Sequence, residues 1–264
     1  MEFRPQAIFI DLDGTLVDLK NNNISTMNIN TIQNINKKIP CFISTGRGFS
    51  KNLLETTNML GLNYGVAQNG AIIFDKVGNI IKKHAINKKT YLNIVDLMSK
   101  EKFSFFINSQ KIIYSDTLIS KIIKFFKKEY TVQKNSQAKN IDDITKILVI
   151  SSKKNKLKEF KNKLLREFID INVVSIGNNR ALEITDINAT KGKANSFICS
   201  LINIDPLKAI HIGDSLNDAS TANHLGGLIA MKNSNQELKN IATEIGFNYK
   251  KSGVAKTLNK LIKL

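Results

Sequence analysis

Short apolar runs that stop abruptly at polar clusters set the rhythm of the first eighty residues. Ala7-Ile8-Phe9-Ile10, Cys41-Phe42-Ile43-Ser44 and Tyr64-Gly65-Val66-Ala67 each have the length and composition of a buried strand. They end at Asp11-Leu12-Asp13-Gly14-Thr15-Leu16, at Thr45-Gly46-Arg47-Gly48 and at Gln68-Asn69-Gly70. Between them the spacing turns helical. Ile29, Ile32 and Ile35 predict a helix over Asn28 to Lys38, closed by Pro40, and a second helix runs from Phe49 to Leu60 with Gly61 as its stop. Asn69-Gly70 signals a tight turn, and Ala71-Ile72-Ile73-Phe74 leads away from it as a further strand. Strands alternating with helices predict an α/β fold whose parallel sheet is covered on both faces.

The pattern changes near Gly78. A strand over Asn79 to Ile86 and a helix over Lys88 to Glu101 precede a hairpin within Phe103 to Ser115, turning at Asn108-Ser109-Gln110. A helix over Thr117 to Lys128, a strand over Ile147 to Ser151 and a Lys-rich helix over Asn155 to Phe168 follow. Ile171 to Ile176 and Arg180 to Ile184 read as a second hairpin. Hairpins mixed with helices predict a separate α+β unit inserted into the first domain. After Thr190-Lys191-Gly192 the first rhythm returns. It gives a helix to Leu201, the strand Ala209 to Ile212 ending at Gly213-Asp214-Ser215-Leu216-Asn217-Asp218, a short helix, and the strand Leu228 to Met231. Helices over Gln236 to Ile245 and Val254 to Lys263 finish the chain. The expected division is a core of residues 1–80 and 187–264 with an insertion of residues 81–186.

Composition changes this picture little. The 264 residues are 42% hydrophobic and 23% charged, an ordinary globular balance. No apolar run reaches the roughly 18 residues that would span a bilayer, and the N-terminus lacks a signal-peptide pattern. Cys41 and Cys199 are isolated and read as small buried hydrophobes in a reducing cytosol, so a cytoplasmic protein is expected. The net charge of +17 raises nucleic acid as a partner. However, lysine is spread along the whole chain, tryptophan is absent, and aromatics do not interleave with the basic residues. A base-stacking surface is therefore not indicated. A basic surface equally attracts small anionic substrates.

The polar clusters carry the candidate chemistry. Asp11 and Asp13 at one strand end repel one another and lose hydration; a divalent cation relieves both, and hard oxygen ligands suit Mg²⁺. At i, i+2 the two side chains would share one face of an extended strand. Taken alone, the stretch is equally an ordinary strand followed by an Asp-Gly turn. Its partners decide. Parallel sheets place ligands beyond the carboxyl ends of their strands. Asp214 can complete a cation site there, Lys191 opens a helix at that edge, Thr45 offers a hydroxyl and Gly46 a backbone N–H. A cation, an ammonium, a hydroxyl and N–H groups around a nucleophilic carboxylate make a phosphoryl site. His84, His211 and His224 are not spaced as metal ligands and read as structural.

Together these motifs resemble the haloacid dehalogenase superfamily of phosphotransferases. Asp11-Leu12-Asp13-Gly14-Thr15, Thr45, Lys191 and Gly213-Asp214-Ser215-Leu216-Asn217-Asp218 match its four motifs in order. Thr45-Gly46-Arg47, Gln68-Asn69-Gly70-Ala71, Glu183-Ile184 and Gly253-Val254-Ala255 are similar to the Cof-type subfamily, whose large α+β cap resembles the insertion. Two departures are local: Ala219 to Asn223 lacks the usual apolar and acidic residues, and Lys232 stands where glycine is common.

The resemblance implies a Rossmann-like core with an inserted cap and a Mg²⁺-dependent phosphatase acting on a small phosphorylated metabolite, a sugar phosphate first. Asp11 would be the nucleophile, and Asp13 the acid and then the base. Mg²⁺ would be held by Asp11, the Asp13 backbone carbonyl and Asp214, with Asp218 in support. Leu12, Gly14, Thr45, Gly46, Arg47, Asn69, Lys191 and Asn217 would line the phosphate or substrate, with Gly70 and Asn233 further candidates. The alternatives are a phosphatase of flavin or pyridoxal phosphate, a phosphomutase with the same nucleophile, and a non-catalytic basic binding module.

Overall fold

Four consecutive apolar side chains make β1 (Ala7–Ile10) a strand that must be covered on both sides. Ile8 and Ile10 pack with Ile43 of β2 (Cys41–Ser44) and with Ile32, Leu53, Val254 and Leu258 from helices. Ala7 and Phe9 face the other way, onto Phe42, Ala194, Ile198 and Cys199. The Phe9 and Phe42 rings stack with centroids 5.1 Å apart. Each of these large side chains contributes roughly 1.5–3 kcal/mol by leaving water. The computed structural model describes residues 4–18, 20, 22–117, 129–176 and 179–262. The chain divides into two compact units, Met1–Lys82 with Thr190–Leu264, and Lys83–Ala189.

The sheet of the first unit has the order β14-β13-β12-β1-β2-β3-β4-β5. β3 (Tyr64–Ala67), β12 (Ala209–Gly213), β13 (Gly227–Ala230) and β14 (Glu244–Ile245) continue the parallel set begun by β1 and β2. β4 (Ile72–Asp75) pairs antiparallel with β3, and β5 (Ile80–Lys83) ends the order. The flanking helices begin where side chains cap them. Ser25 accepts from Asn28 N at the head of Thr26–Asn36, and Ser50 from Leu53 N at the head of Lys51–Met59. Beyond the second helix Gly61 takes φ +73°, a left-handed stop.

The helix expected over Gln236 to Ile245 is shorter, Gln236–Ile241. Its continuation is claimed by the sheet edge: Thr243 N donates to Leu228 O, the Thr243 hydroxyl accepts from Leu228 N, and Glu244–Ile245 pairs as β14. Tertiary pairing here overrides helical periodicity. The short helix after Asp218 is a 3₁₀ turn, Ala219–Asn223.

The second unit is an α+β unit built on a sheet of order β10-β11-β9-β6-β7-β8. β6 (Ser104–Ile107) and β7 (Ile112–Tyr114) are antiparallel, and Asn108 and Ser109 adopt positive φ in the turn between them. β9 (Ile147–Ile150), β10 (Ile171–Ile176) and β11 (Ala181–Asp186) form the other half. Helix Lys88–Lys100 lays Tyr91, Ile94, Val95 and Met98 on the sheet, and Lys154–Glu167 lays down Leu157, Phe160 and Leu164. The periodicity did not predict β8 (Thr131–Gln133), a three-residue edge strand, or the single helical turn Asn135–Ala138 behind it. The expected helix after Thr117 and the Gly177-Asn178 turn lie outside the described residues. Among the described residues no helix is long and apolar enough to cross a membrane. Cys41 and Cys199 are free and buried.

Candidate active site

In-register parallel pairing brings the strand ends of the first unit to a common edge. Ile10 stands opposite both Ile43 and Ile212, so Asp11, Ser44-Thr45 and Gly213-Asp214 leave the sheet side by side. Asp11 N donates to Ile212 O at 2.9 Å, Thr45 N to Val66 O at 2.9 Å and Met231 N to Gly213 O at 2.9 Å, which closes the edge.

Lys191 reaches this edge from the first position of helix Lys191–Leu201, whose cap Thr190 accepts from Lys193 N. An ammonium beside a helix N-terminus opposes the dipole, so local preference does not explain its place. Packing does. A Cβ at Gly70 (φ +107°) would strike the Thr190 backbone, and one at Gly192 would strike the Ser220 carbonyl. Both glycines therefore permit the close approach that drives Lys191 inward.

The result is a buried chain of charges. Lys191 Nζ lies 2.6 Å from Asp11 Oδ1 and 2.6 Å from Asp218 Oδ1. That same Asp218 oxygen meets His211 Nε2 at 2.7 Å, and His211 Nδ1 lies 3.3 Å from the Asn195 amide nitrogen. Asp218 Oδ2 accepts from Asp214 N and Ser215 N, each at 3.0 Å. Lys191, Asp218 and His211 are fully buried and Asp11 nearly so.

Electrostatics sorts these carboxyls. Burial raises the Asp11 carboxyl to about 7, with Lys191 pulling it down and the Asp218 charge pushing it up. Burial also acts upward on Asp218, but Lys191 and His211 outweigh it and hold this carboxyl well below the usual range. Burial lowers the Lys191 ammonium, and Asp11 and Asp218 more than restore it. Burial lowers His211 against the pull of Asp218. Asp214 is pushed up to about 6 by burial and then by the Asp218 charge.

Asp13 goes elsewhere. The expectation that Asp11 and Asp13 share a strand face does not hold, because β1 ends at Ile10 and the Leu12 carbonyl accepts from Thr15, Leu16 and Val17 N in a turn. Asp11 turns inward, while Asp13 stays half-exposed in a fork with Arg47, at 2.8 Å from Nε and 2.6 Å from Nη2. Arg47 Nη2 also donates to Asn22 Oδ1 at 2.9 Å. The Asp13 bond, above all, raises the guanidinium further.

The remaining candidates tie the loops together. Thr45 is buried and its hydroxyl accepts from Arg47 N at 3.2 Å. Asn217 Nδ2 donates to Asn69 Oδ1 at 2.9 Å, and Asn69 holds φ +56°. A Cβ on Gly46 would crowd Asn69 Oδ1 at 3.1 Å. Asn233 donates to Gly14 O at 2.9 Å and accepts from Tyr249 N at 3.0 Å. Gly14 has φ +78°, and a Cβ there would enter the Asp214 carboxylate. Leu12 is wholly buried in the core and offers the site only backbone.

One carboxylate oxygen from each of Asp11, Asp214 and Asp218 lies within 4.8 Å of the others. Asp214 Oδ1 is buried without a hydrogen-bond partner among the described residues. Three carboxylates against one lysine, all oxygen donors, one of them orphaned, fit a hard divalent cation. The oxygens of Asp218 are already engaged by Lys191, His211 and two amides, so Asp11 and Asp214 are the ones with capacity to spare.

Reading the sequence missed the contribution of His211 and Asn195. Two signals pointed to them: a lone polar residue in the apolar strand Ala209-Ile210-His211-Ile212, and Asn195 four residues after Lys191 on the same helix face.

A model of haloacid dehalogenase-like hydrolases matches residues 8–258. Phosphatase YwpJ of Bacillus subtilis (strain 168) is 26% identical over 288 residues, spanning 97% of this chain and all 100% of that protein. A phosphoglycolate phosphatase of Methanobrevibacter smithii is 24% identical over 261 residues, 97% of this chain and 98% of that one. Among solved structures, the HAD subclass IIB sugar phosphatase BT4131 superposes with a TM-score of 0.80 at 20% identity, covering 97% of this chain and 98% of that chain.

Proposed function

The chain belongs to the haloacid dehalogenase-like hydrolase family, and from this we propose that it is a Mg²⁺-dependent phosphatase of a small phosphorylated metabolite. The observation that carries the reading is the buried Asp11 carboxylate, held by Lys191 against Asp218 beside an orphaned Asp214 oxygen. An exposed carboxylate needs no such support. One positioned to receive a phosphoryl group does.

An Asp11 oxygen attacks phosphorus as the bond to the leaving oxygen breaks, and Asp13 gives that oxygen a proton. Asp13 then takes a proton from the water that attacks the aspartyl phosphate, and cleavage of its P–O bond releases phosphate and restores Asp11. Lys191, the Thr45 hydroxyl and the amides of Gly14 and Gly46 offset the charge on the transferring group. Arg47 orients Asp13 through its fork, and Asn217 and Asn69 fix the loops beside Thr45. Asp11, Asp214 and the Asp13 backbone carbonyl would hold Mg²⁺, which when bound neutralises carboxylate repulsion and phosphoryl charge. The second unit is the proposed cap, and it selects among substrates. Sugar phosphates are first among these, the class named for BT4131, with phosphoglycolate and flavin or pyridoxal phosphates next. The two free thiols suit a reducing, cytoplasmic setting.

The test is phosphate release from a panel of phosphorylated metabolites, with Mg²⁺ and with a chelator, by the wild type and Asp11→Asn. Mg²⁺-dependent release by the wild type alone is expected. Full turnover by Asp11→Asn would remove the nucleophile assigned here, and transfer of phosphate between positions of a sugar without release would mark a mutase.

A further inference from the structure

The second unit contains a cavity of about 410 Å³ that uses none of the residues of the candidate active site. It lies where β9 ends at Ile150 and where β6 and β11 begin, beside Ser104 and Arg180. The chain enters and leaves this unit at the other end of the same sheet, where Ile86 N bonds to Ile144 O and Ile187 N to Asp170 O.

Its lining is cationic. Lys102, Lys153, Lys156 and Arg180 surround it together with the hydroxyls of Ser151 and Ser152, and no Asp or Glu lines it. Elsewhere in the unit some cations are paired. Lys83, Lys88, Lys139 and Lys163 each have a carboxylate partner, in Asp143, Asp142, Asp96 and Glu101. Glu101, the acid nearest Lys102 in sequence, is thus already taken by Lys163 at 3.6 Å. Among the described residues Lys102, Lys153 and Arg180 have no carboxylate partner. Lys156 is held in place over the Phe103 ring at 4.5 Å, and its ammonium donates to the Glu101 carbonyl.

The backbone adds to the field. Helix Lys154–Glu167 starts at the cavity, and its cap residue Lys153 supplies no side-chain acceptor. The first amides of that helix therefore have no side-chain cap from Lys153 and sum with the positive end of the dipole. Three unpaired cations and a fourth fixed in position, around a pocket of small-molecule size, give it a positive field that favours an anion.

We propose that this cavity binds the diphosphate group of a small ligand. A single phosphate carries too little charge to balance four cations, whereas two linked phosphates approach it and offer acceptors to side chains that come from separate turns and a helix. Phe103 is buried and cannot stack on a base, so the group recognised is the diphosphate itself, whether inorganic or part of a nucleoside diphosphate.

The test is calorimetric titration of the full chain carrying Asp11→Asn, in chelator, with inorganic diphosphate, ADP and orthophosphate as probes. Saturable binding of diphosphate is expected, with ADP within a few-fold and orthophosphate at least tenfold weaker. Lys153→Gln with Arg180→Gln should weaken diphosphate at least tenfold. Lys89→Gln with Lys100→Gln removes the same charge elsewhere on the unit and should change it less than twofold. Both pairs are exposed, and circular dichroism checks that the variants fold. Absence of saturable binding, equal losses in the two double variants, equal affinity for orthophosphate, or binding of ADP alone would each overturn the proposal.

Discussion

Replacing Lys191 by methionine keeps the length and removes the charge at the centre of the buried chain. Asp218 would keep three donors, His211 Nε2 and the amides of Asp214 and Ser215. The Asp11 side chain would keep none among the described residues, since its hydrogen bond comes from Lys191. Breaking a buried pair by removing one partner costs about 3–5 kcal/mol. The pH dependence separates this cost from simple loss of packing. Burial already raises Asp11 to about 7 with Lys191 in place, and without the ammonium it rises further. A raised folded-state carboxyl contributes stability that is present below its unfolded value and lost as pH rises through the folded one. Above about pH 7 wild-type Asp11 is ionised in both states and its contribution is level. In Lys191→Met the loss continues at about 1.4 kcal/mol per pH unit. Urea unfolding in chelator, followed by circular dichroism, should show a deficit roughly 2 kcal/mol larger at pH 8.5 than at pH 6. A deficit below about 1 kcal/mol at pH 8.5, or one independent of pH, would refute the reasoning. Lys191→Met combined with Asp11→Asn should cost less than the sum of the two, because the carboxylate that the first change leaves without its ammonium is neutralised by the second.

Four further outcomes are expected. Mg²⁺ should raise the melting temperature of the wild type, by the equivalent of about 2.7 kcal/mol at a hundredfold excess over its dissociation constant, and leave Asp214→Asn unmoved. Gly14→Ala places a side chain at φ +78° and into Asp214, so it should lose roughly 1–2 kcal/mol of stability from backbone strain and bind Mg²⁺ more weakly in titration. Arg47→Lys keeps the charge but not the fork on Asp13 and should lower kcat/KM about tenfold in steady-state assays. Burial pushes Cys41 and Cys199 up to about 12, so neither should react with a thiol reagent at pH 8 until the protein is unfolded. Because these pKa values are raised, stability is intact below the ordinary thiol range and should fall above it, by about 1.4 kcal/mol per pH unit for each thiol.

The parallel strands were legible because each is a short apolar run ending at a polar cluster, and register alone then forces Asp11, Thr45 and Asp214 to one edge. Cap residues made the helix starts nearly as plain, with Ser25 and Ser50 as examples. What escaped depended on hydrogen-bond partners that apolar periodicity does not show. Glu244–Ile245 looks like the last turn of a helix until the edge of β13 competes for it. Thr131–Gln133 is too short to show alternation and exists because β7 offers it a ladder. The parting of Asp11 and Asp13 follows from a turn at Leu12 that the i, i+2 rule for strands does not anticipate. His211 looks like a packing residue until Asp218 is found 2.7 Å away.

The first unit is written in two separated stretches, whereas the second is one continuous stretch. On a ribosome that order becomes a schedule. Asp11 precedes Lys191 by 180 residues, an interval of about 10–40 s at ordinary elongation rates. Through that interval β1 lacks β12, its neighbour on the side away from β2, and the Asp11 carboxylate waits without its counter-charge. The second unit emerges whole in the meantime and can fold on its own contacts. A nascent chain stalled when Ala189 has just cleared the ribosome should therefore protect the second unit from protease while the first remains open to it, and the apolar strand Ala7–Ile10 would be the segment most in need of a chaperone's cover.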